Sequence, residues 1–271
     1  MRRVLSLTLI ATALFGGSGV MANTLESLTD RADILGWEAV GRLDRDGRGY
    51  CSAALISPTH VLTAAHCLFS RDDGSRVDPS VLTFSAGLRD GTSIAERRVT
   101  RAVVAKSFDP EDQSSTTSIR NDVALLELAE PIPATTADPF PITQGARDGH
   151  PVTVLSYGQG RDNAMSRESN CTVLAHGNGL IAFDCQGHPG SSGAPIFDTS
   201  GRSPRILSIV SGTGAFEAQQ ATYGMDLAAV VPELRRAFQT GKGVWPESEP
   251  TQRRSIGLTD RSAGSARFVK P

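Results

Sequence analysis

Apolar residues through the middle of the chain come in short runs rather than in a helical stripe. Ala39-Val40-Gly41-Arg42-Leu43, Ala53-Ala54-Leu55-Ile56, Val61-Leu62-Thr63-Ala64, Val99 to Val104, Val123 to Leu128, Val152 to Leu155 and Ile206 to Val210 are continuous or alternating. Clusters of Gly, Pro, Asp and Ser separate them, so the pattern predicts an all-β sandwich or barrel and not βαβ units. One helix is expected over Pro232 to Gln239, with Pro in its first turn and Leu234 and Phe238 four apart.

The ends of the chain follow other patterns. Arg2 and Arg3 precede an apolar stretch from Val4 to Phe15, and Val20-Met21-Ala22 places small residues where a signal peptidase reads. Residues 1–22 are therefore expected to be a signal peptide, and the apolar run is too short to span a bilayer. No stable membrane insertion is expected after cleavage. Residues 23–36 contain no β-rich run and read as a flexible lead-in or short pro-segment. Residues 37–240 form the expected domain. Residues 241–271 lack periodicity, mix basic with acidic residues, and read as a disordered tail.

Composition narrows the function classes. With 39% hydrophobic and 21% charged residues in a chain of 271, global disorder is excluded. The formal net charge is −2, becoming −4 once Arg2 and Arg3 are removed, and aromatic residues make up only 6%. Both observations argue against a nucleic-acid partner. Export implies an oxidising compartment, secreted or periplasmic, in which the four cysteines form two disulfides. In CSAALISPTHVLTAAHC the Pro58-Thr59 turn folds two strands together and brings Cys51 beside Cys67 and His66. Between CTVLAH and LIAFDC, Gly177-Asn178-Gly179 suits a three-residue hairpin loop, which sets Cys171 opposite Cys185. Metal binding is the competing use of these cysteines, but neither pair has Cys-x-x-Cys spacing.

The candidate chemistry lies in three places. His188-Pro189-Gly190-Ser191-Ser192-Gly193-Ala194-Pro195 frames serines with glycines, so the backbone can turn tightly and gather amide N–H groups in one concavity. Acyl transfer requires that combination of hydroxyl nucleophile and oxyanion donors. His66 ends an apolar strand, and Asp122 heads Val123-Ala124-Leu125-Leu126, where burial demands hydrogen-bonding partners. Taken singly, each has a bland alternative: a surface turn, a structural histidine, a strand-capping acid. Their order discriminates. The histidines stand at 60, 66, 150, 176 and 188, and none follows the Gly/Ser turn. An α/β-hydrolase places its histidine last, which excludes Ser192 as the nucleophile of that fold.

Leu62-Thr63-Ala64-Ala65-His66-Cys67, Asn121-Asp122-Val123-Ala124-Leu125-Leu126 and Gly190-Ser191-Ser192-Gly193-Ala194-Pro195 resemble the three signature blocks of trypsin/chymotrypsin-like serine proteases. Ile209-Val210-Ser211-Gly212 resembles the strand lining that family's primary specificity pocket. Trp37 to Leu43 and the hairpin cysteines look most similar to secreted bacterial members, a group that includes glutamyl endopeptidases. The resemblance covers residues 37–240. It implies two six-stranded antiparallel β-barrels with the active site in the cleft between them, and a short C-terminal helix. It also implies a nucleophile Ser192, a base His66, an orienting acid Asp122, an oxyanion hole from the N–H groups of Gly190 and Ser192, and substrate contacts at Gln186, Ser211, Gly212 and Thr213. The implied activity is endopeptidase cleavage of protein or peptide substrates by a monomer, with no cofactor and no metal.

Departures from the family pattern are informative. Animal-type members carry Asp just before the nucleophile, where it pairs with a newly cleaved N-terminus; Ser191 stands here, so the lead-in is expected to be dispensable for the oxyanion hole. Gln186 replaces the Asp associated with Lys/Arg preference. Val210 replaces the His found before the pocket-wall serine in glutamyl endopeptidases. Thr213 stands where large-pocket enzymes have glycine and is expected to favour small or uncharged side chains. The acidic loops Asp72-Asp73-Gly74 and Asp109-Pro110-Glu111-Asp112 lack an EF-hand pattern and read as solvated. Two other function classes share this frame: a non-catalytic binding module, which would lose a triad residue, and a triad esterase, which would cleave simple esters and no peptides.

Overall fold

The structure is a computed structural model and describes residues 24–247. The expected signal peptide and all but the first residues of the expected tail lie outside that range.

Two halves follow one another along the chain. In the first, strands β2 (Val40–Arg45), β3 (Tyr50–Ser57), β4 (His60–Thr63), β5 (Leu82–Ala86), β6 (Ala95–Val104) and β7 (Ala124–Leu128) close a barrel in the order β2-β3-β4-β7-β6-β5. All its ladders are antiparallel, and β3 and β4 are joined by the expected turn at Pro58-Thr59. Its interior is filled from every strand, with Leu43, Leu55, Leu62, Phe84, Ala102 and Leu125 fully buried. Phe84 lies where a Cβ on Gly41 would approach its ring to 2.5 Å, so glycine is what lets the ring into the barrel.

The second half uses β8 (Pro151–Gly158), the long β9 (Arg161–Gly177), β10 (Leu180–Phe183), β11 (Pro195–Asp198), β12 (Arg205–Ile209), β13 (Gly212–Phe216) and β14 (Gln219–Met225). They form a curled sheet in the order β12-β11-β8-β9-β10-β14-β13. The trypsin-like double barrel expected from the sequence is thus present, with the second barrel left open as a half-barrel. Val152, Val173, Ile181, Phe183, Ile196 and Leu207 make its own apolar cluster.

Three segments depart from expectation. The lead-in is not loose: β1 (Thr24–Ser27) pairs with Ser166–Ser169 of β9, and Leu28 and Ile34 are fully buried. Four residues of β1 are too few to show alternation, so only the tertiary sheet reveals the strand. The helix begins earlier than Pro232. Helix α2 (Leu227–Thr240) is capped by the Asp226 carboxylate accepting from Ala228 N–H, and Pro232 sits inside it. The cap, not the proline, sets the start. It buries Leu227, Val231 and Leu234, and Arg235 reaches Ile56 O in the first barrel. The start of the expected tail is also anchored. Val244 is buried, Trp245 exchanges backbone hydrogen bonds with Ala102, and its indole N–H donates to Val77 O at 3.0 Å.

Both cysteine pairs are bridged, Cys51 to Cys67 and Cys171 to Cys185, with Cα separations of 6.3 and 5.1 Å. The second is reached differently from the expectation. The loop holds two residues, Asn178 and Gly179, both at positive φ, and Gly177 pairs with Leu180. A bulge at Leu174 on β9 then restores the frame that a three-residue loop would have given, so Cys171 still meets Cys185.

Candidate active site

The strand β4 ends at Thr63, and the chain turns through a 3-10 segment, Ala65–Leu68, that carries His66. Cys67 in that turn is tied back to β3 by its disulfide. Asp122 is presented by an element the sequence pattern misses, helix α1 (Thr116–Asn121), capped at its start by the Ser115 hydroxyl. Asp122 N–H donates to Ile119 O at the end of this helix, and β7 begins two residues later.

The carboxylate of Asp122 is 3% exposed and fully engaged. Oδ1 accepts the backbone N–H of His66 at 2.8 Å, and Oδ2 accepts from His66 Nδ1 at 2.7 Å and from the Ser211 hydroxyl at 2.5 Å. A carboxylate oxygen that accepts from Nδ1 calls for the ring proton on Nδ1, the tautomer in which a neutral imidazole carries its lone pair on Nε2. This is the partner set that burial of an acid demands.

Ser192 lies at the head of the turn before β11. Its carbonyl accepts from Ser52 N–H at 2.8 Å, and Gly193 N–H donates to Val210 O at 2.8 Å. A Cβ on Gly193 would come within 2.2 Å of Thr63 Oγ1 and 2.9 Å of Ala64 N, so the turn packs directly on the segment leading to His66. The backbone N–H and the Nδ1 of His66 both bond Asp122, its carbonyl accepts from Phe69 N–H, and among the described residues no hydrogen bond joins its Nε2 to Ser192 Oγ. The neighbouring serine is distinguished by burial: Ser191 is 2% exposed and its hydroxyl has no partner among the described residues, whereas Ser192 is only half-buried.

His188-Pro189-Gly190-Ser191 forms a turn closed by Ser191 N–H to His188 O at 2.9 Å, with Gly190 at φ 91°. Proline second and glycine third are the residues a type II turn requires. Neither Gly190 N–H nor Ser192 N–H has an acceptor among the described residues. Beside the turn, burial, and then the nearby Arg161 guanidinium, push the His188 pKa down.

The residues expected to contact substrate are placed unevenly. His66, Asp122, Ser211, Gly212 and Thr213 line one open cleft of about 960 Å³, together with Phe69, Ile119, Leu180 and Tyr223. The Ser211 hydroxyl donates to Asp122. Gln186 is exposed and is held by its backbone, its N–H donating to Glu168 Oε1 at 2.8 Å. Thr213 is exposed at the rim, and a Cβ on Gly187 would lie 2.2 Å from its methyl group. Sequence reasoning missed Glu168, buried at 3%, and Ser52, fully buried, because neither belongs to a motif. The disulfides occupy the sulfurs of both cysteine-containing clusters, Cys51-His66-Cys67 and Cys171-Asp184-Cys185.

A closed antiparallel barrel joined to a half-barrel, with a carboxylate-bound imidazole in the cleft, defines a trypsin-like architecture. The family model for a trypsin-like peptidase domain matches residues 51–203, and the chain belongs to that family. It is 28% identical over 147 residues to serine protease 56 of Mus musculus, covering 51% of this chain and 23% of that protein. It is 34% identical over 98 residues to coagulation factor XII of Sus scrofa, covering 36% of this chain and 15% of that protein. With azurocidin of Sus scrofa it shares 28% over 119 residues, 41% of this chain and 45% of that protein. The chain thus spans less than half the length of these curated relatives. A solved Glu endopeptidase, in complex with MPD, superposes with a TM-score of 0.64 at 17% identity over 79% of this chain and 96% of that one. That likeness concerns the fold. Among the described residues no helix is long and apolar enough to cross a membrane.

Proposed function

We propose that this chain is a secreted serine endopeptidase that cleaves peptide bonds through Ser192, His66 and Asp122 and an acyl-enzyme intermediate. The observation that carries the reading is the imidazole of His66, held by its Nδ1 proton on buried Asp122 with Nε2 left as a base, beside a glycine-framed serine turn packed on Thr63 and Ala64. Ser192 Oγ attacks the scissile carbonyl carbon while its proton passes to His66 Nε2. Asp122 stabilises the resulting imidazolium. The oxyanion is received by the N–H groups of Gly190 and Ser192. Collapse breaks the C–N bond, the leaving amine takes the proton from Nε2, and water repeats the sequence to release the acid and regenerate Ser192.

The partial burial of Ser192 against the closed environment of Ser191 supports the choice of nucleophile. Export is supported by the leader pattern and by the two disulfides. The Thr213 methyl group, which lines the cleft and crowds Gly187, supports a preference for small or uncharged side chains at the cleaved residue.

The test is labelling of the purified chain with a fluorophosphonate probe and cleavage profiling on a peptide library. Ser192→Ala is expected to abolish both labelling and cleavage while melting like the parent; Ser191→Ala is expected to keep both. Label on any residue other than Ser192 would overturn the assignment. Absence of label from the folded parent would favour a binding module, and cleavage of simple esters with no peptide cut would favour an esterase.

A further inference from the structure

Ser52 lies in β3, one residue beyond Cys51, and is completely buried. A hydroxyl among Ala53, Ala54 and Leu55 is costly there unless it is bonded. Its hydrogen-bonding groups are all used, and they join both halves of the molecule. The Ser52 hydroxyl donates to Gly190 O at 3.0 Å and accepts from Tyr157 N–H, in β8, at 2.8 Å. Its backbone N–H donates to Ser192 O at 2.8 Å, and its carbonyl accepts from the Thr63 hydroxyl at 2.9 Å.

These bonds fix the orientation of the serine turn. In a trans peptide the carbonyl and the N–H point in opposite directions. Pro189 O accepts from Gln159 N–H at 2.7 Å, in the β8–β9 hairpin, which turns Gly190 N–H away from that hairpin. Gly190 O held on Ser52 turns Ser191 N–H the other way, where it closes the turn on His188 O. The peptide between the two proposed oxyanion donors is thus clamped by a side chain. Only glycine fits this position, because its φ is 91° and a Cβ there would meet Tyr50 Cε2 at 2.5 Å and Tyr157 O at 2.6 Å. Glycine's own backbone is permissive, so the hydrogen bonds to Gly190 O and Pro189 O are what orient the peptides.

We propose that the Ser52 hydroxyl is a positioning group that holds the Gly190 peptide so that the N–H groups of Gly190 and Ser192 face the reacting carbonyl. It acts through Gly190 and touches no substrate. The proposal rests on the serine peptidase reading, and the two fail separately: that reading is decided on the parent chain by fluorophosphonate label at Ser192, this one on Ser52 variants of a chain that labels.

Ser52→Ala and Ser52→Gly would be measured with the preferred library peptide and the matching peptide aldehyde, with rates normalised to active sites titrated by the fluorophosphonate. Normalisation removes any unfolded fraction, so a merely structural role leaves kcat per site unchanged. The expected result is a fall in kcat per site of about 5- to 50-fold, less than the loss on deleting a donor outright. KM should stay within about twofold, and aldehyde affinity should weaken by about the same factor as kcat, because only the tetrahedral species uses the oxyanion donors. Unchanged kcat per site overturns the proposal, as does a rise in KM that accounts for the whole effect. If neither variant yields titratable sites, the hydroxyl serves folding and the proposal is overturned as well.

Discussion

Asp122 is where the site converges, since one buried carboxylate receives His66 twice and Ser211 once. Replacing it by Asn keeps the size but supplies an amide that donates where the acid accepted, so the imidazole is driven to the other tautomer and Nε2 no longer offers a lone pair. Asp122→Asn is expected to lower kcat by about 10³- to 10⁴-fold, the order known for this change in the same enzyme family. Steady-state kinetics on a library-derived peptide would check it, and a loss below tenfold would contradict the role given to Asp122. His60 shows a different consequence of burial. Its ring packs on Phe238 at 5.2 Å and its Nδ1 lies 2.9 Å from Ser57 Oγ. Burial lowers its pKa from 6.5, with Glu127 opposing and Arg235 and Arg101 adding to the shift. The unfolded chain then takes up a proton before the folded chain does. His60 stabilises the fold fully above the unfolded value near 6.5, and that contribution is lost as pH falls toward the lower folded value. The melting temperature should therefore drop between about pH 7.5 and about pH 5.5, and less steeply in His60→Gln. Equal slopes in the two proteins would remove His60 from the account; the lowered His188 acts in the same direction in both.

At the scale of elements, Thr213 of β13 lines the cleft and its methyl group crowds Gly187 in the loop before the serine turn. Thr213→Gly removes the methyl group that meets Gly187. The expected outcome is a gain of about tenfold or more in kcat/KM for peptides with a large apolar residue at the cleaved position, the scale on which pocket size discriminates. An unchanged library profile would show that this methyl group does not limit access. The β9–β10 hairpin carries a lesson about inference from spacing. Counting outward from a three-residue loop puts Cys171 opposite Cys185, and the structure reaches the same pairing with a two-residue loop and a bulge at Leu174. The covalent restraint fixes the end state, and either local geometry satisfies it. Helix α2 teaches the converse. The proline rule points to Pro232 as a start, whereas the Asp226 cap and the buried face of Leu227, Val231 and Leu234 begin the helix five residues earlier.

Across the whole molecule, much of the first barrel and of the site was legible because it depends on local patterns. Short apolar runs bounded by turn residues give strands in any β fold. Glycine on both sides of the serines has a local reason, visible in the positive φ of Gly190 and Gly193 and in the contacts a Cβ would make there. The lead-in, by contrast, is polar and short, and its strand exists only because β9 offers an edge and Leu28 and Ile34 have a core to enter. The same holds for Trp245, an aromatic residue in a stretch of tail-like composition that is held by Ala102 and Val77. By itself the sequence determined the β class, the chain order of histidine, acid and serine, and the residues that a tight serine turn needs. Those follow from side-chain period and from backbone sterics, which act over a few residues. Tertiary structure alone decided which partners meet. His66 and Asp122 are 56 residues apart, Asp122 and Ser211 are 89 apart, and Ser52 reaches Gly190 across 138. No local pattern encodes such contacts, because a hydrogen bond to a buried group is specified by the closure of the barrel and the packing of the two halves, and the cost of leaving that group unpaired enforces it.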